Sequence, residues 1–275
     1  VMITGSFFTI GSTHLVCEDY AIHGKDYIIV SDGCSNGGGP RLHTDWGSRI
    51  LCKAAEEHIE LLRAKDVQAF VNRVIGTASA QVASYPNLDP RCLTATLLVA
   101  VETQNSIFVI AIGDGLIGGK SANDDWNIIN ISYSNNAPYY LRYELNAADK
   151  EKYLNEFGGV RTEEVYYGSQ FENYQSNDYE ASEALYCIQE FPKDTFKLIF
   201  LLSDGISSFY EPINKQNRQI ATLECLKLLL DFKNFQAGFV ERQCQWVFKT
   251  NRIGSFNKLN WINSDDLSVG VMYCG

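Results

Sequence analysis

The sequence predicts an α+β protein in which helices cover the outer faces of strand blocks, and three observations carry that prediction. Short apolar runs at 27–30 (YIIV), 106–112 (SIFVIAI) and 197–202 (KLIFLL) have the length and the β-branched or aliphatic content of buried strands. Val67, Phe70, Val71, Val74, Ile75, Ala78 and Val82 repeat with the 3.6-residue period of an amphipathic helix. Helical stretches come in pairs between blocks of strands instead of alternating with single strands, which argues against βαβ winding. An α-β-β-α sandwich fits that grouping.

Taken in order, residues 3–33 read as strands and are followed by a glycine cluster, Gly37 to Gly39. Thr44 or Asp45 can cap a helix whose apolar face is Trp46, Ile50, Leu51, Ala54, Ile59 and Leu62. The second helix follows Asp66, and Pro86 lies beyond its end. Strands return at 94–102 and 106–112. After the 197–202 strand come helical stretches at 216–232 and 235–249. A closing strand starts at 267, with Leu267, Val269, Val271 and Tyr273 in alternation. Residues 133–186 hold ten of the 15 tyrosines, and 144–190 carries eleven acidic residues against three basic ones. Tyrosine suits half-buried strands, so this region reads as edge strands with solvated acidic loops.

The chain has 275 residues and 45% hydrophobic content, enough for a substantial core. No Pro- or Ser-rich linker divides it, so a single domain over 1–275 is expected. A net charge of −10 disfavours nucleic acid as a partner. No apolar run approaches the ~18 residues of a membrane span, and the start lacks a signal-peptide profile. Eight cysteines without a Cys-x-x-Cys pair suit reduced core thiols, so neither disulfides nor zinc is expected. A cytoplasmic monomer without membrane association is the expectation.

Carboxylates stand where the strand-like runs stop. Asp32-Gly33 follows the first run, Asp114-Gly115 the second and Asp204-Gly205 the third, while Asp265-Asp266 precedes the last strand and Glu18-Asp19 lies upstream of the first. One Asp-Gly is an ordinary turn signal. Its recurrence at strand ends points to a shared mouth, and clustered oxygen donors suit Mg²⁺ or Mn²⁺, which need neither Cys nor His. Gly118-Gly119-Lys120-Ser121 fails as a nucleotide loop because position 114, where a glycine is required, is Asp.

CEDY at 17–20, IIVSDG at 28–33, LTATLLVAV at 93–101, IAIGDG at 110–115, IFLLSDGISS at 199–208 and DDLSV at 265–269 resemble, in that order, the motifs of the protein phosphatase 2C family, in the wording of its bacterial branch. The resemblance implies a four-layer α-β-β-α sandwich of two mainly antiparallel sheets and a serine/threonine phosphatase that attacks phosphomonoesters with a metal-bridging water. It implies two core Mn²⁺ or Mg²⁺ ions and a third, looser one. Asp32 corresponds to the carboxylate bridging both core ions. Glu18 and the Gly33 carbonyl correspond to ligands of the second, and Asp204 and Asp265 to ligands of the first. Asp114, with Asp204, corresponds to the third site, and Asp19 to the residue that orients metal-bound water.

Two positions depart from the family's pattern. His14 stands where many members have a phosphate-gripping arginine, and Cys34 where animal members have a histidine proposed as the acid. His14 is retained as a candidate phosphate contact beside Asp32 and Asp19. The implied substrate is a phosphoprotein or phosphopeptide. Residues 132–195, which match no motif, can instead form a flap that selects basic or aromatic-containing phosphoproteins. Two alternatives remain: a catalytically weak regulatory or binding module, and a phosphatase of small phosphorylated metabolites.

Overall fold

The computed structural model describes residues 2–34, 42–180, 185–213, 216–252 and 261–275, so the Gly37 to Gly39 cluster lies outside the described residues. Strands β1 (Met2–Thr9), β2 (Tyr20–His23) and β3 (Tyr27–Ser31) precede helices α1 (Thr44–Glu57), α2 (Ile59–Arg63) and α3 (Val67–Ala83). Four strands follow: β4 (Leu97–Glu102), β5 (Ser106–Ile112), β6 (Gly115–Ser121) and β7 (Trp126–Tyr133). Helix α4 (Ala147–Phe157) leads to β8 (Arg161–Gly168), β9 (Asn173–Tyr179), β10 (Cys187–Pro192) and β11 (Phe196–Leu202). Then come β12 (Phe209–Ile213), β13 (Gln216–Gln219), α5 (Thr222–Leu229), α6 (Phe239–Arg252), β14 (Ile262–Asn263) and β15 (Leu267–Cys274).

Two antiparallel sheets face each other, one ordered β1-β15-β11-β6-β7-β8-β9 and the other β10-β5-β4-β3-β2. The alternation of each strand assigns its two faces to different cores. Ile28, Val30, Leu98 and Ala100 meet Ile117, Ile129, Ile199 and Leu201 between the sheets. Their sequence neighbours Ile29, Leu97, Val99 and Val101 face outward, onto the apolar stripes of α1 and α3. Leu198, Phe200, Leu202, Val269 and Val271 likewise face outward, onto α5 and α6. This is the four-layer arrangement, because a strand with two apolar faces needs a cover on both sides. Among the described residues no helix is long and apolar enough to cross a membrane.

Asp66 caps α3, its side chain accepting from the Ala69 N–H at 3.1 Å, as its place in the sequence predicts. The expected cap of α1 does not form: the N-cap is His43 in the left-handed region, and neither Thr44 nor Asp45 serves as the cap. Trp46, assigned to the buried face, is 48% exposed and meets Tyr85 edge-on on the outside of the helix pair. The stretch from 216 opens as β13, paired with β12, and helix begins only at Thr222. Polar residues 216–219 have no apolar face to bury, whereas Cys225, Leu226 and Leu229 do. All eight cysteines are free thiols, five of them buried.

Candidate metal centre

The strand ends converge. Asp32 follows β3, Asp114 sits in the turn from β5 to β6, Asp204 opens a 3-10 turn after β11, and Asp265 precedes β15. Their loops, with the β1–β2 connection that carries His14 and Glu18, enclose a cavity of about 230 Å³ at one end of the sandwich. Of the predicted site residues, His14, Glu18, Asp32, Gly33, Asp114, Asp204 and Asp265 all line it. Asp19 does not line the cavity; it is fully buried.

Backbone packing holds these loops together. The Asp32 N–H donates to Thr96 Oγ1 at 3.0 Å, the Thr96 N–H returns to the Asp32 carbonyl at 2.8 Å, and Ser31 Oγ donates to the Thr96 carbonyl at 2.6 Å. A side chain at Gly33 would meet the Thr44 and Glu18 carbonyl oxygens at 2.7 and 2.9 Å, so only glycine lets α1 and the Glu18 segment close on this loop. At Gly205 a Cβ would fall 1.7 Å from the Asp266 carbonyl oxygen, which shows how tightly the Asp204 turn lies on the Asp265 loop.

Four side chains given no such role from the sequence hold the candidate ligands. Thr44 Oγ1 donates to Glu18 Oε1 at 2.5 Å, so the hydroxyl expected to cap α1 orients a carboxylate instead. Ser203 and Ser268 both donate to Asp19 Oδ2, at 2.6 and 2.7 Å. Asp266, almost wholly buried, accepts from the Gly11 N–H at 2.8 Å and from the Glu18 N–H at 2.6 Å, joining the β1–β2 connection to the last strand. The signal for Asp266 was present in the Asp265-Asp266 pair, but sequence does not tell which of two adjacent carboxylates turns inward.

The electrostatics follow from this crowding. Burial pushes Asp19 up to about 7, and it pushes Asp114, with the Asp204 charge added, to about 7 as well. Burial and the charges of Asp19 and Asp204 raise Asp32 well above the carboxylate range. Asp265 is raised by burial and by Asp204. Asp19 Oδ1 is buried without a donor, while the Asp32 carboxyl stands within hydrogen-bonding reach of Asp19. Two carboxyl groups in contact have no donor between them until one takes a proton or a cation intervenes.

No Lys or Arg is among the described residues lining the cavity. His14 presents Nδ1 to Asp266 at 3.2 Å and Nε2 to Asp265 at 3.4 Å. Burial lowers its pKa, but the hydrogen bond to Asp266 and the charges of Asp266, Asp265 and Glu18 raise it overall. His14 is thus turned toward carboxylates. Cys34 is pushed up by burial and remains a thiol, with the Tyr140 hydroxyl against it. Tyr140, itself buried, reaches the cavity with Asn136 and Pro138 from residues 134–145, the connection between β7 and α4. The tyrosine-rich region therefore divides: β8 and β9 form a sheet edge, and its first part lies beside the site.

The cavity at the mouth of the four-layer sandwich is thus strongly acidic, with six carboxylates beside His14 and Cys34. The chain belongs to the protein phosphatase 2C family, whose model matches residues 12–229. Among solved structures, a bacterial serine phosphatase is 12% identical with a TM-score of 0.55, the match covering 100% of this chain and 98% of that one. PppA of Pseudomonas aeruginosa, described as a key regulatory component of T6SS, is 11% identical with a TM-score of 0.50, covering 99% and 97%. The catalytic domain of the serine threonine protein phosphatase PstP, in complex with 2 manganese ions, is 13% identical with a TM-score of 0.49, covering 99% and 97%. At these identities the first two likenesses show the fold alone. No curated protein matches the chain in sequence.

Proposed function

We propose that the chain is a Mg²⁺- or Mn²⁺-dependent protein serine/threonine phosphatase hydrolysing phosphomonoesters, with the described residues acting as one catalytic unit. The observation that carries the reading is the gathering of six carboxylates, Glu18, Asp32, Asp114, Asp204, Asp265 and Asp266, around one cavity that no Lys or Arg among the described residues lines. An uncompensated set of buried carboxylates is costly unless cations or protons complete it. The donors are all oxygen, the chemistry of a hard divalent ion. Among the described residues no three Asp, Glu, His or Cys side chains form a ready cage. Each ion would therefore take few protein oxygens and complete its shell with water, as Mg²⁺ does.

Asp32 would bridge the two core ions, with Glu18 and the Gly33 carbonyl on one, Asp204 and Asp265 on the other, and Asp114 with Asp204 holding a third. Such ions would supply an activated water as nucleophile and would offset the charge of the substrate phosphate. The chain's own residues supply orientation. Ser203 and Ser268 fix Asp19 behind the cavity and against the Asp32 carboxyl, so Asp19 would act on the centre through Asp32. Thr44 fixes Glu18, and Asp266 ties the Glu18 segment to the Asp265 loop. The cavity opens at the surface, which suits a phosphorylated side chain on a protein or peptide.

One observation favours a second reading, a catalytically weak regulatory or binding module. Both ring nitrogens of His14 face aspartates, so it does not stand free as a phosphate-gripping cation. Phosphate release from a phosphothreonine peptide and from an aryl phosphate, each with and without Mn²⁺, separates the readings. The phosphatase turns over both only with metal. Metal binding without turnover supports the module, and turnover of small phosphate esters alone supports a metabolite phosphatase.

A further inference from the structure

We propose that the Tyr140 hydroxyl donates a hydrogen bond to the phosphoryl group of the substrate, taking part of the role that an arginine would otherwise fill. The inference rests on the phosphatase reading above. Six of the side chains lining the cavity are carboxylates, which only accept when ionised. Thr96 Oγ1 accepts from the Asp32 N–H and keeps its own hydroxyl proton, while both nitrogens of His14 face Asp265 and Asp266. The lining side chains left to offer a proton to an anion are Cys34, Thr96, Asn136 and Tyr140.

Of these, Thr96 is almost wholly buried beneath Asp32, and Tyr140 is held over the cavity by an aromatic cluster. Its hydroxyl stands against the Cys34 thiol, and sulfur is a weak acceptor, so a phosphate oxygen competes well for the phenolic proton. Its ring packs on Tyr143 at 6.2 Å, and Tyr143 stacks on Tyr153 of α4 at 4.6 Å. Tyr153 in turn donates to the Ala137 carbonyl at 2.8 Å, and Ser134 Oγ donates to the Phe157 carbonyl at 3.0 Å. Helix α4 thereby anchors the segment that carries Tyr140. A donor fixed before the substrate arrives loses little entropy on binding.

In the reaction the water oxygen bonds to phosphorus and the bond to the ester oxygen breaks, its electron pair staying on that oxygen. The two protons of the water end on the alcohol and on the phosphate. Tyr140 keeps its own proton and only shares it with a phosphoryl oxygen.

The test measures competitive inhibition by inorganic phosphate in saturating Mn²⁺, with the phosphothreonine peptide as substrate, for the parent, Tyr140→Phe and Tyr143→Phe. Tyr140→Phe keeps the ring and its packing, so its Tm and Mn²⁺ affinity are expected to stay at the parent's values. Its inhibition constant for phosphate and its KM are expected to rise about tenfold, the ordinary effect of losing one hydrogen bond to a charged group. Tyr143→Phe, altered in the same aromatic cluster but away from the cavity, is expected to keep the parent's phosphate affinity. A Tyr140→Phe protein that is folded, loaded and within twofold of the parent in both constants overturns the inference and leaves the phosphatase reading intact. An equal loss in Tyr143→Phe also overturns it, since the cluster's packing and not the Tyr140 hydroxyl would then be responsible. A parent that releases no phosphate overturns both.

Discussion

Asp19→Asn is expected to stabilise the metal-free protein at alkaline pH while damaging the loaded one. In the fold this carboxyl is fully buried, and burial carries it from its ordinary 3.8 up to about 7. With the folded-state pKa above the unfolded one, the native chain binds the extra proton. Stability from this group is therefore full below about 4 and is lost as pH rises through about 7. At ~1.4 kcal/mol per pH unit, that loss is about 4 kcal/mol by pH 8. Asparagine does not ionise and avoids it. Its side-chain oxygen can still accept from Ser203 and Ser268, and its amide can donate toward Asp32. For a chain of this length ~4 kcal/mol corresponds to about 7 °C. Thermal unfolding in EDTA across pH 4 to 8 should therefore show the variant's Tm rising relative to the parent's by about that amount. Saturating Mn²⁺ should erase the advantage, because the ionised Asp19 is then in use. A relative Tm that is independent of pH, or that falls, would refute the reasoning.

Asp266→Asn replaces one of two acceptor oxygens with a donor, leaving the Gly11 or the Glu18 N–H unpaired in the interior. The expected cost is about 1–3 kcal/mol, read as a lowered Tm, with Mn²⁺ affinity weakened because Glu18 shifts; a Tm equal to the parent's contradicts the clamp. Thr44→Val preserves shape but removes the donor to Glu18. Calorimetry is expected to show Mn²⁺ bound roughly tenfold more weakly with the helix content unchanged, and undiminished affinity would show that the contact does not matter.

The fold was legible because its signals are local. Tyr27–Ser31 and Phe196–Leu202 are apolar on both faces, which demands cover on both sides, and the stripe from Phe70 to Val82 supplies one such cover. Polar strands gave no comparable signal, and β13 was misread as helix because its residues bury no periodic face. In the site, the carboxylates at strand ends could be read directly, since Asp-Gly after an apolar run marks both the turn and a carboxylate at its mouth. Their supports could not. Thr44, Ser203, Ser268 and Asp266 act across separations of 26 to 255 residues, and a hydroxyl that orients a carboxylate looks in sequence like a cap or a strand residue. Tyr140 was hidden among ten tyrosines, because the pattern does not reveal which ring the β7–α4 segment turns toward the carboxylates.

The central claim is that Asp32 and its neighbours hold the cations on which phosphate release depends. It is tested most directly by titrating the chelated protein with Mn²⁺ in a calorimeter while following phosphothreonine-peptide hydrolysis, for the parent and for Asp32→Asn. Two ions are expected to bind the parent, with activity returning as they fill, whereas Asp32→Asn loses binding and turnover together. Hydrolysis that survives exhaustive chelation, or Asp32→Asn binding Mn²⁺ as the parent does, would contradict the account.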